Sequence, residues 1–287
     1  MPTFTTLIDA ATLAAHIDDP AWVVLDCRHD LVNLCAGREA YAAGHLPRAR
    51  FADVETALSG AKRDEDGAFR GRHPLPQVDA FIERLRAWGI NDDTQVVAYD
   101  AHGGMFAARV WWMLRWVGHD AVAVLDGGLP AWQSARQPLS AETPAPRARG
   151  TIALRKSLVA SVDVDAVLSN LQAGARTVVD ARAPDRFRGE NETIDPVGGH
   201  IPGAKNRFFK DNLQADGRFK APDQLKAELG KVVDDPAQAI MQCGSGVTAC
   251  HNLLALEVAG LPGAALYPGS WSEWSADPAR PVATGAD

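Results

Sequence analysis

The feature that most constrains this chain is that it holds the same pattern twice. Val23-Val24-Leu25-Asp26-Cys27-Arg28 returns as Val178-Val179-Asp180-Ala181-Arg182. Gly44-His45-Leu46-Pro47-Arg48-Ala49 returns as Gly199-His200-Ile201-Pro202-Gly203-Ala204. Val96-Val97-Ala98-Tyr99, ending in Asp100, has its counterpart in Ala239-Ile240-Met241, ending near Cys243. Each half closes on a turn before tryptophan: Asp126-Gly127-Gly128-Leu129-Pro130-Ala131-Trp132, then Tyr267-Pro268-Gly269-Ser270-Trp271. Single matches arise by chance; four in the same order mean a duplicated domain. The 287 residues are enough for two domains of ordinary size. We expect the first over residues 1–139 and the second over 156–287, with a linker at 140–155. Pro138 to Gly150, with three prolines and small residues, reads as that linker, mobile or draped over the surface.

Within each half, short apolar runs alternate with helical stretches. In the first, Thr6 to His16 reads as helix, Trp22 to Asp26 as strand and Val78 to Trp88 as helix. Gln95 to Tyr99 reads as strand, Met105 to Val117 as helix and Ala121 to Leu125 as strand. That order predicts an α/β fold with a mainly parallel sheet in each half. Ala61 to Arg72 is charged and aperiodic and reads as an exposed loop.

Sites in such sheets lie at the carboxyl ends of strands. Asp100 and Cys243 hold equivalent positions there, so only the second half offers a nucleophile and the first reads as catalytically silent. Cys243-Gly244-Ser245-Gly246-Val247-Thr248 is a tight turn from a strand into a helix running to Val258. Such a turn aims backbone N–H groups and the positive helix end at one point, which favours a thiolate. An inert buried cysteine is the plain alternative.

Several function classes are disfavoured. A net charge of −7 argues against nucleic acid as a partner. The cysteines Cys27, Cys35, Cys243 and Cys250 are too scattered for a disulfide framework and lack zinc spacing, so we expect no metal and a reducing compartment, the cytoplasm. No apolar run is long enough for a membrane. A monomer is the default.

Taken together, these marks resemble the rhodanese family, specifically its two-domain sulfurtransferases. The resemblance spans nearly the whole chain and implies two tandem rhodanese-like domains. It also implies a persulfide on Cys243 as the covalent intermediate, with no other cofactor. The loop is similar to that of the 3-mercaptopyruvate sulfurtransferases. Thiosulfate sulfurtransferases usually place basic residues just after the cysteine, and Gly244, Ser245 and Gly246 supply none. The resemblance implies 3-mercaptopyruvate as the small-molecule donor, and cyanide or a thiol such as thioredoxin as acceptor. The alternatives are thiosulfate as donor, or a non-enzymatic persulfide carrier. It further implies a relay of Ser245, His73 and Glu55 across an interdomain cleft, with Asp53 competing for the acid's place. Arg186 matches the family's substrate-binding arginine, and Arg188 would assist. The mercaptopyruvate enzymes carry another arginine further along; here Glu190-Asn191-Glu192-Thr193-Ile194-Asp195 offers only acids and neutral residues. The duplicated Asp26/Arg28 and Asp180/Arg182 read as structural ion pairs, and His45 and His200 as turn residues. Cys250 reads as a buried small residue.

Overall fold

The computed structural model describes residues 3–286. Two compact units divide them. Unit one holds the chain to Ser59, Pro76–Leu158 and Gln214–Phe219; unit two holds Gly60–Leu75, Val159–Leu213 and the chain from Lys220 onward. The two segments assigned away from their own half carry a common pattern: Asp66-Gly67-Ala68-Phe69 and Asp216-Gly217-Arg218-Phe219. We call Gly60–Leu75 the arm of unit two.

In unit one the strands are β1 Leu7–Ile8, β2 Trp22–Asp26, β3 Arg50–Phe51, β4 Gln95–Tyr99 and β5 Val122–Leu125. In unit two they are β6 Ala160–Ser161, β7 Thr177–Asp180, β8 Lys205–Asn206, β9 Ala239–Gln242 and β10 Ala265–Leu266. The sheet orders are β1-β5-β4-β2-β3 and β6-β10-β9-β7-β8, with all pairings parallel. The second sheet is thus the first repeated. Buried parallel strands need apolar side chains on both faces, and β2, β4 and β9 are buried throughout.

In both sheets the strand order reverses between two parallel neighbours, β2 and β4 in one and β7 and β9 in the other. The crevice at such a point is where α/β sheets place ligands. Asp26 pairs with Tyr99 and Asp180 with Gln242, so Asp100 and Cys243 each sit one residue past the same registered pair.

The repeated ion pairs are structural, as expected. Arg28 holds Asp26 at 2.6 Å and Gly44 O at 2.7 Å. Arg182 holds Asp180 at 2.6 Å and Gly199 O at 2.7 Å. Each ties a strand end to the Gly-His-[Leu/Ile]-Pro turn. His45 stacks on Tyr41 and bonds its carbonyl; His200 does the same with Phe187.

Two local readings change and a third is narrowed to one of its alternatives. The expected Thr6–His16 helix begins only at Ala10: Leu7 and Ile8 pair with β5, and the Asp9 carboxylate caps the helix through Thr12 N at 2.7 Å. Trp132 is equivalent to Trp274, not Trp271: their indole N–H groups donate to Pro138 O and Pro281 O. The linker is draped on unit one: Gly150, Ile152 and Arg155 N–H groups bond Arg86, Ile90 and Val117 carbonyls. No helix among the described residues is long and apolar enough to cross a membrane.

Candidate active site of unit two

Cys243 follows β9 directly and is 2% exposed. Its carbonyl accepts from Trp271 N at 2.9 Å, its N–H donates to Ser270 Oγ at 3.1 Å, and Gly244 O accepts from Ser272 N at 2.9 Å. The turn closes at Gly246, whose φ is +72°; a Cβ there would lie 2.3 Å from Pro268 O. Only glycine fits that position. The helix Thr248–Val258 then begins, with Val247 and Thr248 buried at its head.

Unit one shows what this turn geometry is built to hold. The Asp100 carboxylate accepts from the N–H groups of His102, Gly104, Phe106 and Ala107 at 2.7–3.0 Å. Leu129 N donates to Asp100 O at 2.8 Å, matching Trp271 on Cys243. The strand-to-helix turn is therefore an anion cradle, filled in unit one by the Asp100 carboxylate itself. In unit two the side chain at its base is a thiol.

The arm brings two more groups to this loop. His73 Nδ1 lies 2.8 Å from Ser245 Oγ, both residues being buried. A Cβ on Gly244 would meet Arg72 Nη2 at 2.8 Å, with Arg186 Nη2 at 3.7 Å and Arg182 Cδ at 3.9 Å. Three arginines therefore flank the residue after the cysteine. Arg72 pairs with Asp195; Arg186 pairs with Glu192 at 2.8 Å and with Asp195 at 3.3 Å; Arg182 reaches Glu192 at 3.4 Å. Burial raises the Asp195 carboxyl above its ordinary value, against the pull of Arg72. Burial also acts to raise Glu192, but hydrogen bonds from Arg186 and from the Asp195 and Ile194 N–H groups outweigh it and hold it low.

Cys243, Gly244, Ser245, Gly246, His73 and Arg186 come together in unit two. The Ser245–His73 pair lies within one unit rather than across a cleft, because the arm belongs to unit two. Glu55 belongs to unit one, where its carboxylate is 3.9 Å from His29 Nε2. Its rival Asp53 pairs with Arg38 at 2.9 Å and caps Glu55 N. Arg188 does not join Arg186: residues two apart on the short helix Pro184–Arg188 face different ways, and Arg188 pairs with Glu190 at 2.7 Å. Cys250 is buried and donates to Gly246 O at 3.4 Å. The bare Gly-Ser-Gly loop also has its cations after all. Sequence reasoning missed Arg72, although it stands beside His73 in the chain.

The family model of the rhodanese-like domain matches residues 9–135 and 163–277. The chain is 47% identical over 292 aligned positions to a Pseudomonas aeruginosa protein named "Probable 3-mercaptopyruvate sulfurtransferase", covering 97% of this chain and 98% of that one. It is 37% identical to the thiosulfate sulfurtransferase of Bos taurus, covering 89% and 85%. Among solved structures, the 3-mercaptopyruvate sulfurtransferase from Leishmania major superposes with a TM-score of 0.83 at 31% identity, covering 95% of this chain and 74% of that one.

Proposed function

The chain belongs to the rhodanese family of sulfurtransferases, and from that premise we propose that it takes sulfur from 3-mercaptopyruvate through a persulfide on Cys243. The observation that carries the choice of donor is the Ser245–His73 hydrogen bond beside the cysteine. The Cys243 thiolate attacks the donor's thiol sulfur. The new S–S bond forms as the donor's C–S bond breaks, and the electron pair passes to carbon as the enolate of pyruvate. That enolate needs a proton, and a serine hydroxyl backed by a histidine is suited to deliver it. Thiosulfate would need none, since sulfite departs as a stable dianion. Arg186 and Arg72 suit the 2-oxo carboxylate, because planar guanidinium groups bind carboxylates in bidentate fashion.

In the second half-reaction cyanide or a thiol, a reduced thioredoxin included, attacks the outer sulfur. With cyanide, Cys–S–S⁻ and CN⁻ give Cys–S⁻ and SCN⁻. The persulfide itself carries the sulfur, so the cycle calls for no further cofactor.

Thiosulfate as donor is the second reading, favoured by the guanidinium groups around Gly244. Initial rates with each donor, cyanide as acceptor, test the choice. A higher kcat/KM for 3-mercaptopyruvate, with Cys243→Ser inactive, is expected. A higher value for thiosulfate would overturn the donor assignment. No turnover with either donor would favour a carrier that works only with a partner protein.

A further inference from the structure

We infer that Ser272 is a positioning residue for the donor half-reaction, a reading that rests on the proposed mercaptopyruvate chemistry. Ser272 touches neither sulfur nor donor. It is 4% exposed and is bonded to both sides of the site at once. Its N–H donates to Gly244 O at 2.9 Å, holding the residue next to the nucleophile. Its Oγ accepts from Arg72 N at 3.0 Å, holding the backbone of the arm. The same hydroxyl donates to Gly269 O at 3.2 Å, which fixes its lone pairs toward the arm. Arg72 and His73 are consecutive, so this one bond sets where both a guanidinium and the Ser245 partner stand.

The surrounding contacts make the joint tight. Gly71, at φ +101°, packs so closely that a Cβ would lie 2.8 Å from Gly269 O. Arg70 Nε lies 3.5 Å from the buried carboxylate of Glu273. Three consecutive arm residues, Arg70, Gly71 and Arg72, are therefore seated on the segment Gly269–Glu273.

The duplication supplies an internal control. Trp132 matches Trp274 and Leu129 N matches Trp271 N, so Ser272 corresponds to Pro130. Proline has neither the N–H nor the hydroxyl. The half without a nucleophile has thus dispensed with both functions of this position. The half with one retains them. Ser270 follows the same logic: it holds φ +54°, where its counterpart Gly128 holds +55°. A side chain at that angle is strained, and here its hydroxyl receives the Cys243 N–H.

The test separates the two half-reactions in the full-length chain. Ser272→Ala keeps the N–H and removes the hydroxyl; Ser272→Thr keeps both. Persulfide formation from excess 3-mercaptopyruvate is followed by stopped flow, then discharge of the loaded enzyme by cyanide. We expect Ser272→Ala to slow formation about tenfold, the loss of one buried hydrogen bond. Discharge should stay within about twofold, and Ser272→Thr should recover most of the formation rate. Equal slowing of both half-reactions, or no slowing of either, would overturn the role. Failure of the parent enzyme to form persulfide from mercaptopyruvate would instead refute the donor assignment on which the role rests.

Discussion

Arg186 and Arg72 illustrate how one residue's value depends on what already neutralises it. Each guanidinium is shared with Glu192 or Asp195, so a donor carboxylate must compete with carboxylates in place. We expect Arg186→Ala to lower kcat/KM for 3-mercaptopyruvate about tenfold or more, the usual cost of a charge-assisted hydrogen bond, mainly through KM. Steady-state kinetics with Arg186→Lys as comparison would check this; an unchanged KM would remove Arg186 from donor binding. Gly246 makes a second prediction. Its positive φ and the nearby Pro268 O leave no room for a methyl group. Gly246→Ala should cost ~1–3 kcal/mol, lowering Tm by roughly 2–10 °C. A thermal melt within one degree of the parent would contradict this account of the turn.

At the scale of elements, the arm matters as much as the sheet. Arg72 and Ser272 are joined although 200 residues separate them. No local periodicity encodes such a bond, which is why Ala61 to Arg72 reads from sequence as an exposed loop. Its charged tip around Glu65 is exposed; its end, Gly71 to His73, is not. The nucleophile turn was legible because its signals are local: an apolar strand, two glycines and a helix within a few residues. Elsewhere in unit two, Glu228 ties Arg207 and Lys220 at 2.8 and 3.0 Å. Desolvation acts to raise its pKa, but hydrogen bonds from Arg207, Lys220 and Gln224 lower it from 4.5 to about 2. A depressed carboxylate pKa stabilises the fold above its unfolded value and loses that contribution as pH falls through the folded one. Glu228→Gln should therefore lower Tm at neutral pH, and the gap should shrink between pH 4.5 and about 2. A gap that widens over that interval would contradict the sign.

On the scale of the whole molecule, the duplication explains both what was legible and what was not. Paired motifs announced two copies of one parallel sheet, and the repeated strand order bears that out. They also placed Asp100 and Cys243 at the same register. They did not disclose that Gly60–Leu75 belongs to the unit of the other half, although the recurring Asp-Gly-x-Phe pattern marks both reassigned segments. The first half of the chain thus supplies unit two with Arg72 and His73. A fragment beginning at Val159 should have no mercaptopyruvate turnover; full turnover by that fragment would contradict the arm's role. The central claim, that sulfur is carried on Cys243, is tested most directly by intact-protein and peptide mass spectrometry after one exposure to 3-mercaptopyruvate without acceptor. The account predicts a gain of one sulfur atom on the Cys243 peptide, released by cyanide as thiocyanate and absent in Cys243→Ser. No gain, or a gain on another cysteine, would contradict it.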